Sequence, residues 1–463
     1  MKVYVLGGGL AGLSAAHVLS EGGIDVTVLE AEDEVGGLAR SFSEDGFTLD
    51  LGPHRLHTHD ESLLEHFMKL MGDSLEEKER VSRILLEGRF FDYPLRVGNA
   101  MFNMRPLTTA RIVADYAWIK LKSMLRRPAD GNFEDWVVNR FGSRLYEIYF
   151  KVYTEKTWGL PCMMLSADWA AQRISLMSLW DTVVKTLFRG GVEPRTYASR
   201  FYYPRSGGVG RLSEEYAKHI LANGGRILTN SRVDGITVKD GRIIELRCAG
   251  NSFKVSAFDL VYSTIPITTL IKSVSPPVPK GVARASSKLR FRSIVFVHLK
   301  FKRPTVSSDH WIYVPELKYV ENRLSESRNF NTGNASSGKT VVTAEITCQC
   351  GDTIWNAPAE ELGRRVLEDM LAMDLVKRRE YIGSSIHRIE HAYPIYDLDY
   401  KVNLHEVIEY LKTLSNLRFF GRQGLFRYNN MDHSVSMGLT AAKSVTGRNV
   451  DYLKVAAEQH WFG

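Results

Sequence analysis

A chain of 463 residues, 44% hydrophobic and 24% charged, has the composition of an ordinary globular protein and the length for two or three packed lobes around a cofactor, which excludes a disordered or fibrous chain. A net charge of +7 over that length fits an anionic small molecule, a membrane surface or a plain solvated basic face; without a low-complexity basic tail it argues against nucleic acid as partner. Four cysteines without paired CxxC knuckles exclude a disulfide scaffold, and no apolar run approaches the ~20 residues of a membrane span.

Residues 2–6 form a short apolar strand, residues 13–21 a helix and residues 25–30 a second strand, giving strand, glycine-rich turn, helix, strand. The strand begins next to Met1, so no room for a targeting segment is expected; with few cysteines this points to a reducing, cytoplasmic setting. From Leu63 to about Arg200 the pattern turns largely helical, as in 108–125 and 133–150, with Lys120, Lys122, Arg126 and Arg127 as its densest basic cluster. A helix is expected over 211–223. Short strands follow over 226–229, 235–239, 242–248, 252–255 and 260–264, with further strands over 293–301 and 340–347. Residues 361–373 read as a helix, 417–421 as a strand and 436–446 as the final helix. The Ser- and Asn-rich tract 322–337 reads as a loop, either a plain surface loop or a flap. Cys348 and Cys350, two apart in an apolar run, would share one strand face as packing residues.

Gly7-Gly8-Gly9-Leu10-Ala11-Gly12 fits G-x-G-x-x-G between a strand and a helix. Gly7 permits the tight turn, Gly9 lets backbone approach a pyrophosphate, and Gly12 allows close packing of helix on strand. The helix N-terminus offers free N–H groups to that anion. Glu30, ending the second strand, is placed to accept hydrogen bonds from ribose hydroxyls. A second glycine pair, Gly36-Gly37, follows, with Arg40 as a phosphate partner or an exposed arginine. This run resembles the FAD-binding segment of the amine oxidase and protoporphyrinogen oxidase superfamily. So do Tyr203–Gly208 before a helix, Arg232-Val233 and residues 259–266; the resemblance implies FAD as cofactor and a backbone contact to adenine at Val233.

Further segments carry a narrower resemblance. Gly52-Pro53-His54-Arg55-Leu56-His57-Thr58 has two histidines three apart, yet no acidic or cysteine partner pattern accompanies them, so no metal is expected. Tyr153-Thr-Glu-Lys156-Thr-Trp158-Gly159 precedes Trp169 and Arg173. Trp311-Ile-Tyr313-Val-Pro315 precedes Arg323. Gly421-Arg422-Gln-Gly424 runs on to Tyr428, Asp432 and His433. Together these are similar to the motifs of UDP-galactopyranose mutases, in the same order along nearly the whole chain. The resemblance implies His54 beside the flavin and Arg173 and Arg323 gripping a substrate diphosphate from two sides. It also implies Tyr428 near that diphosphate, Tyr93, Trp158 and Tyr393 along the substrate, and Gly421, Arg422, Asp432 and His433 toward the cofactor. Leu95 stands where some mutases carry a second aromatic, which departs from the uracil-binding pattern.

The fold class expected is α/β: a Rossmann-like, discontinuous FAD-binding domain from 1–80, 200–265 and 405–463, a mainly helical lobe from 81–199 and a sheet-containing substrate lobe from 266–404. The function implied by the resemblance is a sugar-nucleotide mutase that interconverts pyranose and furanose rings, as in cell-surface glycan biosynthesis, with reduced flavin as covalent nucleophile and NAD(P)H or another reductant keeping it reduced. The alternative is an FAD-dependent oxidase or dehydrogenase, for which Phe91, Trp158 and Tyr393 could form an apolar cage. Peripheral membrane contact and the oligomeric state stay open.

Overall fold

In this computed structural model the described residues are 1–93, 106–125, 129–173, 200–335, 338–446 and 453–454; of 106–109, 120, 123–125, 172, 173 and 446 the backbone alone is described. Lys2–Leu6, Asp25–Leu29, Arg226–Leu228, Leu260–Ser263 and Leu417–Phe419 form one parallel sheet, ordered 417–419, 260–263, 2–6, 25–29, 226–228. Val3, Val5, Leu6, Val26, Val28 and Val261 are almost wholly buried, as expected of parallel strands covered on both faces. The first helix, Leu10–Glu21, packs against Arg211–Ala222 and Met431–Lys443. Its contact with the last helix is close: a Cβ on Gly438 would stand 2.1 Å from Ser14 Oγ, and Ser14 Oγ donates to Val435 O at 3.2 Å. The sheet therefore gathers its strands from three separated stretches of chain.

A second sheet has seven strands, ordered Tyr381–Pro394, Phe291–Phe301, Thr340–Cys348, Arg323–Glu326, Trp311–Tyr313, Ser82–Leu86 and Arg89–Asp92. All neighbours run antiparallel except 82–86 and 311–313. One face packs on the helix Ala359–Ala372 through Leu362, Val366, Leu367 and Met370. A smaller antiparallel and mixed sheet joins 251–254, 242–248, 233–239 and 274–275. The helical part comprises Pro106–Leu125, Phe133–Phe141, the run from 143 to Trp158 and Ala167–Arg173.

Several expectations need correction. Gly142, at φ +88°, breaks the helix expected over 133–150. The stretch from Leu63 is not uniformly helical: it holds strands at 75–79, 82–86 and 89–92. The described part of the tract 322–337, residues 322–335, is not a plain loop. Its first part, Arg323–Glu326, is an inner strand of the seven-stranded sheet, with Leu324, Ser325 and Glu326 buried; Ser327–Phe330 is a helical turn. Cys350 lies past the end of the strand Thr340–Cys348 and is exposed, while Cys348 is buried. The longest strand, Tyr381–Pro394, carries many polar residues and no clear alternation, which hid it from a pattern reading. Of the basic cluster, Lys120, Arg126 and Arg127 lie outside the described side chains.

Candidate functional site: one cavity with two ends

Between the two large sheets and the helical part lies a cavity of about 1350 Å³. A site for one small ligand usually measures roughly 300–1,000 Å³, so this one has room for a dinucleotide and a second molecule.

One end is made of backbone. Gly7 leaves the first strand at φ +100°, where an added Cβ would meet Thr264 Oγ1 at 2.6 Å. A Cβ on Gly12 would sit 2.1 Å from the Gly7 carbonyl oxygen, so this turn admits no side chain at either place. Gly9 is different: its Cβ would have nothing nearer than Gly37 Cα at 4.0 Å, and both glycines line the cavity. No side chain caps the first helix, so its leading N–H groups are left to an anion. Glu30 is 7% exposed and accepts hydrogen bonds from Gly8 N at 2.5 Å and Glu32 N at 2.9 Å. Its carboxylate thus closes the turn and borders the cavity, where a ribose would lie. Arg40 reaches Glu32 at 3.4 Å and stands over the Phe42 ring, while its buried Nε has no partner among the described residues. Val233 opens its strand at the cavity edge beside Arg232. An uncapped helix, a cradle that a Cβ would fill and an orphaned guanidinium nitrogen together fit the pyrophosphate of FAD.

The later cofactor candidates divide. Gly421, at φ +85°, brings its loop against the first helix, where a Cβ would meet Ala11 Cβ at 3.0 Å. Arg422 also lines the cavity, but its guanidinium is tied to the chain: it donates to Ala392 O at 3.0 Å and to Asn429 O. Gly12, Asp432 and His433 do not line the cavity. Asp432 is buried in the first turn of the last helix, and burial pushes its carboxyl above the usual range. His433 accepts from Asn430 N at 3.2 Å and caps that helix.

The other end is made of side chains from distant elements. Trp158 packs edge-on against Trp169 (ring centres 4.5 Å apart) and near Tyr393 (5.9 Å) and Tyr428 (6.2 Å). Tyr393 and Tyr428 are 5.0 Å apart, with the Arg422 guanidinium 4.5 Å from the Tyr428 ring centre. The helical run that carries Trp158 widens over Tyr146–Lys151, and it lines the cavity with Tyr149, Tyr153 and Trp158. Lys156 fastens this run to the sheet by donating to Val314 O, Glu316 O and Glu321 O at 2.8, 2.9 and 2.6 Å; burial lowers its ammonium to about 8. Tyr93 lies 4.7 Å from Tyr313, on the opposite wall.

Arg323 enters from its strand and is held by Glu345, Nε to Oε1 and Nη2 to Oε2 both at 2.8 Å. This fork is the strong form of the ion pair, and the carboxylate holds the guanidinium well above its ordinary range. His54, on the same side, is pushed down to about 3 by burial and then by the charges of Arg323 and Arg422, so it is neutral at pH 7. Arg173 ends its helix, but its side chain lies outside the described residues. Among the described residues no cluster of three or more metal-ligating side chains forms.

The structure thus brings together Gly7, Gly9, Glu30, Gly37, Arg40 and Val233 at one end, and His54, Tyr93, Trp158, Arg323, Tyr393, Arg422 and Tyr428 at the other. Sequence reading missed Glu345, Arg55, Tyr153 and Tyr313 as wall residues. Glu345 had a signal: it is the one charge in the apolar run Thr340–Cys348.

Comparison with known proteins bears on the fold and the cofactor. The family model described as flavin containing amine oxidoreductase matches residues 10–379. A solved structure of reduced UDP-galactopyranose mutase superposes with a TM-score of 0.86 at 22% identity, covering 100% of this chain and 99% of that one. Putrescine oxidase bound to putrescine superposes with a TM-score of 0.66 at 19% identity, covering 97% and 100%. At these identities the likeness is one of fold. Among curated proteins, L-amino-acid oxidase of Pseudechis australis is 33% identical over 111 residues, 20% of this chain and 22% of that protein. The enzyme of the same name from Sistrurus catenatus edwardsii is 41% identical over 76 residues, 16% and 14%. The aligned stretches span less than a quarter of either relative.

Proposed function

The chain belongs to the flavin containing amine oxidoreductase family, with FAD as its cofactor, and from that premise we propose that it is a sugar-nucleotide mutase acting on pyranose and furanose rings. The observation that carries this reading is the charge of the side-chain end. Arg55 and Arg422 line it without a carboxylate partner among the described residues, beside the ion pair of Arg323 with Glu345 and set among Tyr93, Tyr153, Tyr313, Tyr393 and Tyr428. An ammonium substrate would meet like charges there, whereas a nucleoside diphosphate would meet opposite ones. The whole-length likeness to a UDP-galactopyranose mutase fold supports the same reading.

In this proposal reduced FAD, when bound, supplies the nucleophilic centre of the reaction. The chain's own residues bind and orient. Glu30 and the 7–12 turn hold the cofactor; Trp158, Tyr393 and Tyr428 wall the sugar; Arg173 and Arg323 face the diphosphate. His54, kept neutral, offers a hydrogen bond beside the flavin without adding charge. The domain division follows the same proposal: 1–80, 200–265 and 405–463 carry the cofactor, and 81–199 and 266–404 close over it.

An FAD-dependent oxidase or dehydrogenase is the second reading. The family as a whole and the aromatic wall of Trp158, Trp169, Tyr393 and Tyr428 support it. The two separate in one experiment: dithionite-reduced enzyme is incubated without oxygen with UDP-furanoses and other sugar nucleotides, and products are resolved by chromatography. Ring isomers without net oxidation support the mutase. Stoichiometric peroxide from an amine or amino acid in air, with no sugar isomer, removes it.

A further inference from the structure

Arg55 lines the cavity half-buried, and among the described residues no carboxylate or carbonyl takes its charge. Two other arginines of the cavity are satisfied within the chain: Arg323 by Glu345, and Arg422 by the carbonyls of Ala392 and Asn429. Arg55 forms no hydrogen bond or ion pair among the described residues, and its Nη1 is shielded from solvent without a partner. It lies in the segment 53–57 that turns along the cavity wall, its neighbour Leu56 pinned by Leu56 N to Tyr202 O at 3.1 Å and Tyr202 N to Leu56 O at 2.8 Å. Its guanidinium stands 5.5 Å from the Trp311 ring centre, and the buried indole Nε1 of Trp311 is likewise without a partner among the described residues. Arg80 and Arg323 add positive charge nearby, and burial together with these neighbours pulls the Arg55 guanidinium below its ordinary value. The phenols of Tyr93 and Tyr313 border the same corner.

A half-buried guanidinium with one shielded, unpaired N–H group, among like charges and without a counter-ion among the described residues, is a costly arrangement for a ligand-free protein. It becomes favourable when an anion enters. Arg55 and Trp311 present unpaired N–H donors, and a phosphate group offers several strong acceptor oxygens in return.

We propose that the corner formed by Arg55, Trp311, Tyr93 and Tyr313 is a phosphate-binding subsite, with Arg55 as its principal cation. This inference rests on the mutase reading for the identity of the ligand, a nucleoside diphosphate. It departs from that reading in the residue: Arg323 is occupied by Glu345, and Arg55 takes the phosphate. Trp311 holds the guanidinium plane in place through its ring. The same chemistry has a second source, the pyrophosphate of FAD, which the test separates.

The test uses the FAD-loaded enzyme and isothermal titration with inorganic pyrophosphate and with uridine diphosphate, on wild type, Arg55→Met and Arg55→Lys. A charge-assisted hydrogen bond contributes enough that affinity for both probes should fall about ten- to a hundredfold in Arg55→Met and recover in part in Arg55→Lys. FAD content should be unchanged. The melting temperature of ligand-free Arg55→Met should equal or exceed that of wild type, because an apolar side chain replaces a half-buried charge with an unpaired, shielded N–H group. A structural prop for Trp311 would give a lower melting temperature and unchanged probe affinity, which overturns the proposal. Loss of FAD from Arg55→Met assigns the residue to the cofactor and overturns it too, as does a wild type that binds acetate but neither phosphate probe. Sugar isomerisation that survives with Arg55-independent affinity removes the subsite and spares the mutase reading. Arg55-dependent pyrophosphate binding without any sugar isomerisation supports the subsite and removes that reading.

Discussion

The two ends of the cavity are built by different means. The cofactor end is backbone: glycines at 7, 9, 12 and 37, the open N-terminus of a helix, and one carboxylate that braces the turn. The opposite end is side chain: Trp158 from a helix, Arg323 and Glu345 from neighbouring strands, Tyr393 from a third strand and Tyr428 from a loop. A backbone site is specified by a few consecutive residues, and single atoms decide it. A side-chain site is specified by register and packing across 270 residues, the separation from Trp158 to Tyr428. Damage to the first should therefore be all-or-none, and damage to the second graded.

The sharpest contrast lies within the first end. Gly12→Ala would place a Cβ 2.1 Å from the Gly7 carbonyl, so little folded, yellow protein is expected on purification. Gly9→Ala has open space around its Cβ and keeps an ordinary φ of −76°, so the chain should fold while FAD binding drops more than about tenfold. Circular dichroism and flavin absorbance on the same samples check both; equal behaviour of the two variants would break the distinction.

The strongest effect on stability at the side-chain end should come from Glu345→Gln. It leaves the Arg323 guanidinium without its carboxylate, with side-chain exposures of 22% and 5% in the pair. Removing one partner of such a pair costs about 3–5 kcal/mol, readable as a shift in the urea midpoint. FAD content should hold, because neither residue touches the glycine turn. A smaller loss is expected for Lys156→Met, which leaves the carbonyls of Val314, Glu316 and Glu321 without that donor and loosens the Trp158 helix from the sheet. Roughly 1–3 kcal/mol is the scale for a buried group left unsatisfied, and tryptophan fluorescence should broaden with it.

The mildest expected effect at each group is on pH dependence. His54 and His298 are pushed down to about 3 and His57, His66 and His310 to about 4, chiefly by burial. Their folded values lie below the unfolded one, so each favours the fold fully above about pH 6.5 and loses that contribution as pH falls toward 4. Asp50 acts in the other sense. Burial raises it to about 6, so its contribution is present below about pH 4 and is lost as pH rises through 6. Asp432 and Glu321, also raised by burial, act as Asp50 does, but the lowered histidines, with His17, His387 and His391 among them, outnumber these carboxyls, so the melting temperature should decline from pH 6.5 to 4. His54→Asn should flatten part of that decline, and a profile that rises toward acid would contradict it.

The same contrast explains what could be read from the sequence. The first strand, turn, helix and Glu30 lay within thirty residues, and the structure has them where the glycine spacing puts them. The aromatic and arginine residues of the far end were visible as motifs, but their partners were not. Nothing local showed that 323–326 is an inner strand, because its four residues Arg-Leu-Ser-Glu lack an apolar run, and their burial depends on pairing with 311–313 and 340–348. Hence Arg323 was expected in a loop, either a plain surface loop or a flap, and is found in a strand, locked to Glu345. Arg55 stood in a motif where the histidines drew attention; only the absence of a partner among the described residues gives it meaning.

On the proposed reading, this cavity binds an anionic sugar nucleotide beside a flavin that is not consumed. The most direct measurement counts sugar molecules isomerised per reducing equivalent, with anaerobic holoenzyme reduced once by dithionite and given UDP-galactofuranose. Many isomerised molecules per reduced flavin, with the flavin still reduced at the end, is the predicted result. No isomer, together with reoxidation of the flavin in step with substrate or with none at all, would contradict it.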